Sequence, residues 1–309
     1  LKLQCEALLS PYELGDIMTA TASQTKNMFG DQPYQQRAQA ALPILIRQAV
    51  AQKPIYYEAL AGELRMPNPR NLNWVLGSVG ATLQELARKP GWDGDIPHIQ
   101  SLVINQRDQL PGSGFEGFLA DRLKGYQGLS SAEKRAYLDG YWHDIFAYPR
   151  WAEVLNACGL APATTDASEL VDKAKTGRSG GGGEGPEHLA LKQLVRDDPK
   201  IVGLPSSFPR GSIEAPLPSG DRLDVLFHAR SRMLAVEVKS RISNDVDLTR
   251  GLFQCVKYRA VMEAERAVKG GGYSIEAVLV VGRAFPDTLK PLRNSLGVEV
   301  IEILNYSSS

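Results

Sequence analysis

Residues 219–240 read SGDRLDVLFHARSRMLAVEVKS, and their pattern decides how the second half of the chain folds. Leu223 to Phe227 form an apolar run that carries one acid, Asp224. A short polar turn follows, then a second apolar run that ends in Glu237-Val238-Lys239. Val225 and Phe227 on the first run, with Leu234, Val236 and Val238 on the second, recur at every other position. That period predicts the paired strands of a β-hairpin. On a strand Glu237 and Lys239 project from one face. A buried strand rarely carries an acid and a lysine side by side unless they pair or bind something, because desolvating a lone charge is costly. With Asp224 on the neighbouring strand, two carboxylates and one ammonium meet at one edge. That is the minimum equipment for holding a divalent cation and positioning a water for hydrolysis. The plainer reading makes Glu237 and Lys239 a surface ion pair worth little, and the apolar neighbours on both sides argue against it.

The flanks add further groups. Upstream, GEGPEHLALKQLV predicts a helix over Pro186 to Arg196, with Pro186 at the first helical position and Glu187 beside it. Downstream, DLTRGLFQCVKYRAVMEAE belongs to a long helix over Asp245 to Val268, closed by Gly270 to Gly272. Gln254 and Tyr258 are four apart on it and share a face. Strands are expected over Ser212 to Leu217, Leu223 to His228, Met233 to Ser240, Ile275 to Val281 and Val298 to Leu304, with a helix over Asp287 to Leu296. IEAVLVVG is nearly continuous in apolar residues, as a central strand covered on both faces should be. The order gives an α/β domain built on a mixed sheet flanked by helices.

In residues 184–303 this arrangement resembles the PD-(D/E)XK nuclease superfamily, in its RecB-like branch, with Asp224, Glu237 and Lys239 in the places of the D, the E and the K. The D…ExK spacing alone is a weak pattern; the helix acid before it and the Q-x-x-x-Y helix after it, in order, make the match specific. The resemblance implies a restriction-endonuclease-like fold. It also implies Mg²⁺ or Mn²⁺ on Asp224, Glu237 and the backbone carbonyl of Val238. Lys239 would orient or deprotonate the attacking water and offset charge in the transition state. Glu187 stands where an additional acid often sits, with Glu214 on the first strand as its competitor; as a plain helix-start acid, Glu187 would instead answer the macrodipole. Gln254 and Tyr258 would steady the lysine or touch the scissile strand, unless Tyr258 simply packs against its apolar neighbours. His188 stands at the mouth of the cleft or serves structure. Arg250 and Lys257 flank the pair and suit phosphate contacts.

Bulk properties are those of a soluble globular protein with room for two domains: 309 residues, 43% hydrophobic and 23% charged. No apolar stretch is long enough to span a bilayer, and the start, LKLQCEALLS, lacks the pattern of a signal peptide. Cys5, Cys158 and Cys255 have no metal-ligand spacing and read as buried small hydrophobes in a reducing compartment, so a cytoplasmic protein without a membrane association is expected. The formal net charge is zero. That speaks against indiscriminate coating of nucleic acid and leaves room for a nuclease, whose acidic centre lowers the net charge.

The expected boundary is a flexible linker over residues 161–185, which ends in a glycine run. GRSGGGGEG precedes a helix, as a phosphate loop would, but no strand leads into it and it lacks the Lys-Ser/Thr of a P-loop. Residues 1–160 form the first domain, mainly helical, and residues 186–309 the second. In the first, helices are expected over Gln35 to Ala51, within IYYEALAGELRM, and over Asn71 to Lys89. A strand and glycine-rich turn in IPHIQSLVINQRDQLPGSGF follow. Three helices and a β-wing suggest a winged-helix-like domain whose third helix enters the DNA major groove. IPHIQSLVINQ also resembles the DNA-binding domain of alkylguanine alkyltransferases. There the residue after Ile-Pro is a reactive cysteine; here it is His98, so alkyl transfer is not implied. Lys53, Arg65, Arg70 and Arg107 are candidate DNA contacts, each equally at home on a solvated face. Ser130 to Leu160 predicts one or two helices whose aromatics suit a core or a docking face.

The expected function is metal-dependent phosphodiester hydrolysis of DNA by an endonuclease or exonuclease, with the first domain binding DNA or docking a partner. Repair, restriction and phage defence are the settings such chemistry serves. The alternatives are a catalytically idle DNA-binding scaffold and a nuclease on RNA or branched structures. A homodimer would be needed to cut both strands at once, since each chain carries one catalytic set.

Overall fold

The computed structural model describes residues 25–92, 96–112, 114–115, 126–164, 167–176 and 185–306. The chain divides into two compact units, Leu1–Thr164 and Thr165–Ser309. No helix among the described residues is long and apolar enough to cross a membrane.

In the first unit α1 (Pro33–Val50) packs on α3 (Leu72–Ala87), and α2 (Tyr57–Glu63) lies between them in sequence. Ala38, Leu42 and Leu45 of α1 meet Val75, Val79 and Leu83 of α3 in one core. Leu102, Ile145 and Val154 close it, the last two from α4 (Ser131–Ala147) and α5 (Trp151–Ala157). Ser130 caps α4 reciprocally with Glu133, which satisfies two helix-start donors. Two expectations for this unit change. The strand within IPHIQSLVINQ is only two residues, β2 (Val103–Ile104), and its partner is β1 (Ile55–Tyr56), in parallel register. A parallel pair needs a crossover, and α2 and α3 supply it. Among the described residues no antiparallel wing forms. Ile99 to Leu102 turn as a short 3₁₀ segment, because Ile99, Leu102 and Val103 all enter the core. The second change concerns α3, the expected groove reader. It is buried around most of its circumference, and Glu85 is its only charged residue.

The second unit is a mixed α/β fold on a five-stranded sheet in the order β3-β4-β5-β6-β7. The strands are β3 (Ser212–Pro216), β4 (Arg222–Ala229), β5 (Arg232–Lys239), β6 (Ser274–Val281) and β7 (Glu299–Glu302). β4 is antiparallel to both β3 and β5, and β5, β6 and β7 run parallel. Each parallel step has a helix in its crossover: α8 (Asp245–Lys269) between β5 and β6, and α9 (Lys290–Leu296) between β6 and β7. A third helix, α7 (Pro186–Asp197), precedes the sheet. The expected strands and helices all form, with ends moved by a few residues. The last helix opens with a 3₁₀ turn at Asp287–Leu289.

From Val225 onward strand alternation sorts the apolar residues onto two faces. Leu223 shares the parity of Val225 and Phe227 but lies on the other face, across the break in pairing at Asp224. Val225, Phe227, Leu234, Val236, Val238, Val278 and Val280 pack with Leu191 and Val195 of α7. Leu223, Ala235, Leu279 and Val281 pack with Leu248, Leu252, Cys255 and Tyr258 of α8. Burial of Phe227 alone is worth about 2–3 kcal/mol. Within the segment expected to be a flexible linker, residues 168–176 form a helix instead, α6 (Ser168–Thr176). Ala167, Leu170 and Val171 join the α8 core, and Arg250 donates to the Ala174 carbonyl. Apolar residues at helical spacing override the small, polar composition there. The glycine run that follows lies outside the described residues, as does Cys5; Cys158 and Cys255 are free and buried.

Candidate active site

The β4–β5 ladder closes at Val225 opposite Val236. One residue earlier, Asp224 replaces a backbone acceptor with its side chain: Oδ2 accepts the Val238 N–H at 2.8 Å. The carboxylate is thereby fixed at the rim of the sheet, against the backbone between Glu237 and Lys239. Its other oxygen, Oδ1, faces α7, where Lys192 Nζ is 3.1 Å away and His188 Nε2 is 3.4 Å away. Burial alone would raise the Asp224 pKa. The hydrogen bond and charge of His188, the Val238 N–H and Lys192 outweigh it and hold the group below the ordinary carboxylate value.

Glu237 has another environment. It is 3% exposed and faces α8. Lys239 Nζ donates to Oε1 at 2.6 Å, and the Tyr258 hydroxyl donates to Oε2 at 3.0 Å. Gln254 Nε2 in turn donates to the Tyr258 hydroxyl at 3.3 Å. The spacing of Gln254 and Tyr258, one helical turn, is what lets both act at one point. Gln254 Oε1 is buried with no hydrogen-bond partner among the described residues. Desolvation pushes Glu237 up to about 7; Lys239 pulls it down and the charge of Asp224 pushes it further up. Lys239 would lose affinity for its proton through burial, yet Glu237, Asp224 and Asp247 more than reverse that and raise its pKa. It is therefore an ammonium at neutral pH. Tyr258 is also raised well above its usual value, by burial first and then by Glu237.

Gly251 makes room for the lysine. A Cβ there would lie 2.8 Å from Leu279 Cδ1 and 3.2 Å from Lys239 Cε. Mid-helix glycine costs helix stability, so α8 gives up propensity to let Lys239 lie between helix and sheet.

The other sequence candidates fall as follows. Glu187 is ion-paired with Arg241, whose guanidinium lies over the Tyr306 ring, 5.4 Å from its centroid. Glu214 lies on β3 with a left-handed backbone, φ 55°, and its carboxylate reaches Lys192 at 2.6 Å. Arg250 pairs with Asp247 at 3.2 Å as well as with Ala174, and Lys257 pairs with Asp221 at 2.7 Å. Both proposed phosphate contacts thus have partners inside the unit. His98, in the first unit, is buried, which lowers its pKa.

Lys192 is the residue that sequence reasoning missed. Its signal was present: 188, 191, 192 and 195 follow the i, i+3, i+4, i+7 spacing of a buried helix face. A lysine at such a position needs an anion, and Asp224 and Glu214 supply it.

Family models, curated proteins and solved structures were compared with the chain, and none matches it.

Proposed function

We propose that the second unit is a metal-dependent nuclease, with a restriction-endonuclease-like fold of the PD-(D/E)XK type and DNA as its substrate. The observation that carries this reading is the convergence of Asp224, Glu237 and Lys239 where β4 leaves β5, with Tyr258 and Gln254 of α8 on Glu237. Support for a cation comes from the donor chemistry. Glu237 stays near a pKa of 7 although an ammonium touches it, so its burial is not fully compensated by the protein. Asp224, Glu237 and the Val238 carbonyl would hold one hard ion, which keeps its own waters for the remaining positions. No group of three His, Cys, Asp or Glu that could hold a metal ion exists among the described residues. Mg²⁺ or Mn²⁺, when bound, supplies Lewis-acid charge to the phosphate.

The chain's own residues do the rest. Tyr258 fixes the rotamer of Glu237, and Gln254 fixes Tyr258. Lys239, held protonated, offsets negative charge as it builds on the phosphate and orients the attacking water; an ammonium cannot also be the base. The Arg241–Glu187 pair is next to this edge, since Arg241 follows Lys239 by two residues. In the first unit a winged-helix-like role would have to use residues other than α3. Lys53, Arg65, Arg70 and Arg107 remain its candidate phosphate contacts, and partner docking is the other role open to it.

One observation favours a second reading. Lys192 and His188 already face Asp224, so part of the cluster is charge-balanced by the protein itself, as an idle scaffold would require. Incubation with duplex DNA, single-stranded DNA and RNA, each with Mg²⁺, Mn²⁺ or EDTA, separates the two. Cleavage that needs the metal supports the nuclease, and intact substrates under every condition support the scaffold.

A further inference from the structure

Two departures from ordinary structure meet at one point beside Asp224. The first is Lys192, whose side chain is 0% exposed although lysine is almost never wholly buried. The second is Glu214, a non-glycine residue in the left-handed region inside a strand, a conformation that persists only where its surroundings hold it. Each makes sense through the other. The unusual backbone brings the Glu214 carboxylate onto Lys192, with Oε1 2.6 Å from Nζ, and Asp224 Oδ1 lies 3.1 Å from the same nitrogen. The ammonium therefore bridges oxygens from two carboxylates on neighbouring strands, which is also how a divalent cation is held.

We propose that the Lys192 ammonium is a built-in cation, filling a second cation position beside Asp224, so that the site admits a single divalent ion, on the Glu237 side. The single-ion clause rests on the nuclease reading above; the assignment of the Lys192 position does not. Tethering the charge to α7 has a chemical consequence. Asp224 is fixed between the Val238 N–H and Lys192 without any bound metal, so the rim of the site is assembled before substrate or metal arrives.

The test counts Mn²⁺ bound to the full-length chain, from the electron paramagnetic resonance of free Mn²⁺, and follows Tm with and without Mn²⁺. Lys192→Met removes the tethered charge and leaves Glu214 and Asp224 facing each other. It is expected to bind one more Mn²⁺ per chain than wild type. Mn²⁺ should raise its Tm by about 5 °C more than it raises that of wild type. Lys192→Met/Glu214→Gln, with one carboxylate fewer, should lose both the extra ion and the extra shift. Should Lys192→Met fail to fold, Lys192→Gln, which keeps N–H donors but no charge, takes its place with the same expected increment. An unchanged ion count in the lysine variant overturns the proposal, and so does a wild type that binds two ions. If wild type binds none and the variant gains one, the Lys192 assignment stands while the metal-dependent nuclease reading fails.

Discussion

Asp224 and Glu237 lie on neighbouring strands, and the protein treats their buried charges in opposite ways. On the α7 side, Asp224 receives a backbone N–H, a buried lysine and a histidine, and its pKa is lowered. On the α8 side, Glu237 receives one lysine and one phenol in a drier setting, and its pKa rises to about 7. The difference teaches that one rim holds two kinds of acid: one whose partners outweigh its burial, and one whose burial outweighs its partners.

Removal of the frame should cost the most. Asp224→Ala strands Lys192 on Glu214 alone and unpairs the Val238 N–H, for an expected loss of about 3–5 kcal/mol in urea denaturation. A loss under 1 kcal/mol would mean that Lys192 does not depend on Asp224.

Glu237 should behave in the opposite sense. Its folded pKa near 7 lies above the ordinary 4.5, so between those values the unfolded chain is ionised while the folded one still holds the proton. Its contribution to stability is thus present below the ordinary value and falls as pH rises towards 7. Asp224, with a lowered pKa, contributes above its ordinary value and loses that contribution as pH falls through its folded pKa. In EDTA, Glu237→Gln unpairs the Lys239 ammonium, which costs stability at every pH. The difference from wild type should move in the variant's favour as pH rises from 4 to 8, because only wild type must ionise a buried carboxyl. Parallel stability curves for the two proteins between pH 4 and 8 would remove the contrast.

Smaller effects probe the α8 side further. Gly251→Ala places a methyl group against Lys239 and Leu279, and should cost about 1–3 kcal/mol while displacing the lysine. Tyr258→Phe removes one donor to Glu237 and should cost about 1 kcal/mol. It should also raise the Glu237 pKa, because the lost bond favoured the carboxylate, and carboxyl NMR titration reads that shift directly. A downward shift would show that the phenol had been accepting a hydrogen bond from a protonated Glu237.

Much of this contrast was legible in the residues. Strict alternation fixed the hairpin that holds Asp224, Glu237 and Lys239, and a spacing of four put Gln254 over Tyr258. Helix ends were legible at Pro186 and Gly270, where the backbone demands are local. What stayed hidden depended on contacts between distant segments. Lys192 has the spacing of a buried helix face, but the carboxylates that answer it, Asp224 and Glu214, are known only once α7 packs on the sheet. Glu214 gives no hint of its left-handed backbone or of its partner Lys192, which lies 22 positions away. The parallel β1–β2 pair was missed because two-residue strands carry too little pattern, and α6 because polar composition masked Leu170 and Val171.

The most direct test of metal-dependent hydrolysis compares wild type with Lys239→Ala on supercoiled plasmid DNA in Mg²⁺, Mn²⁺ or EDTA. Wild type should nick or cut in either metal and stop in EDTA. Lys239→Ala, folded by circular dichroism, should be slower by about a hundredfold or more, since it lacks the ammonium that offsets transition-state charge. Equal rates for the two proteins, or undiminished cleavage in EDTA, would contradict it.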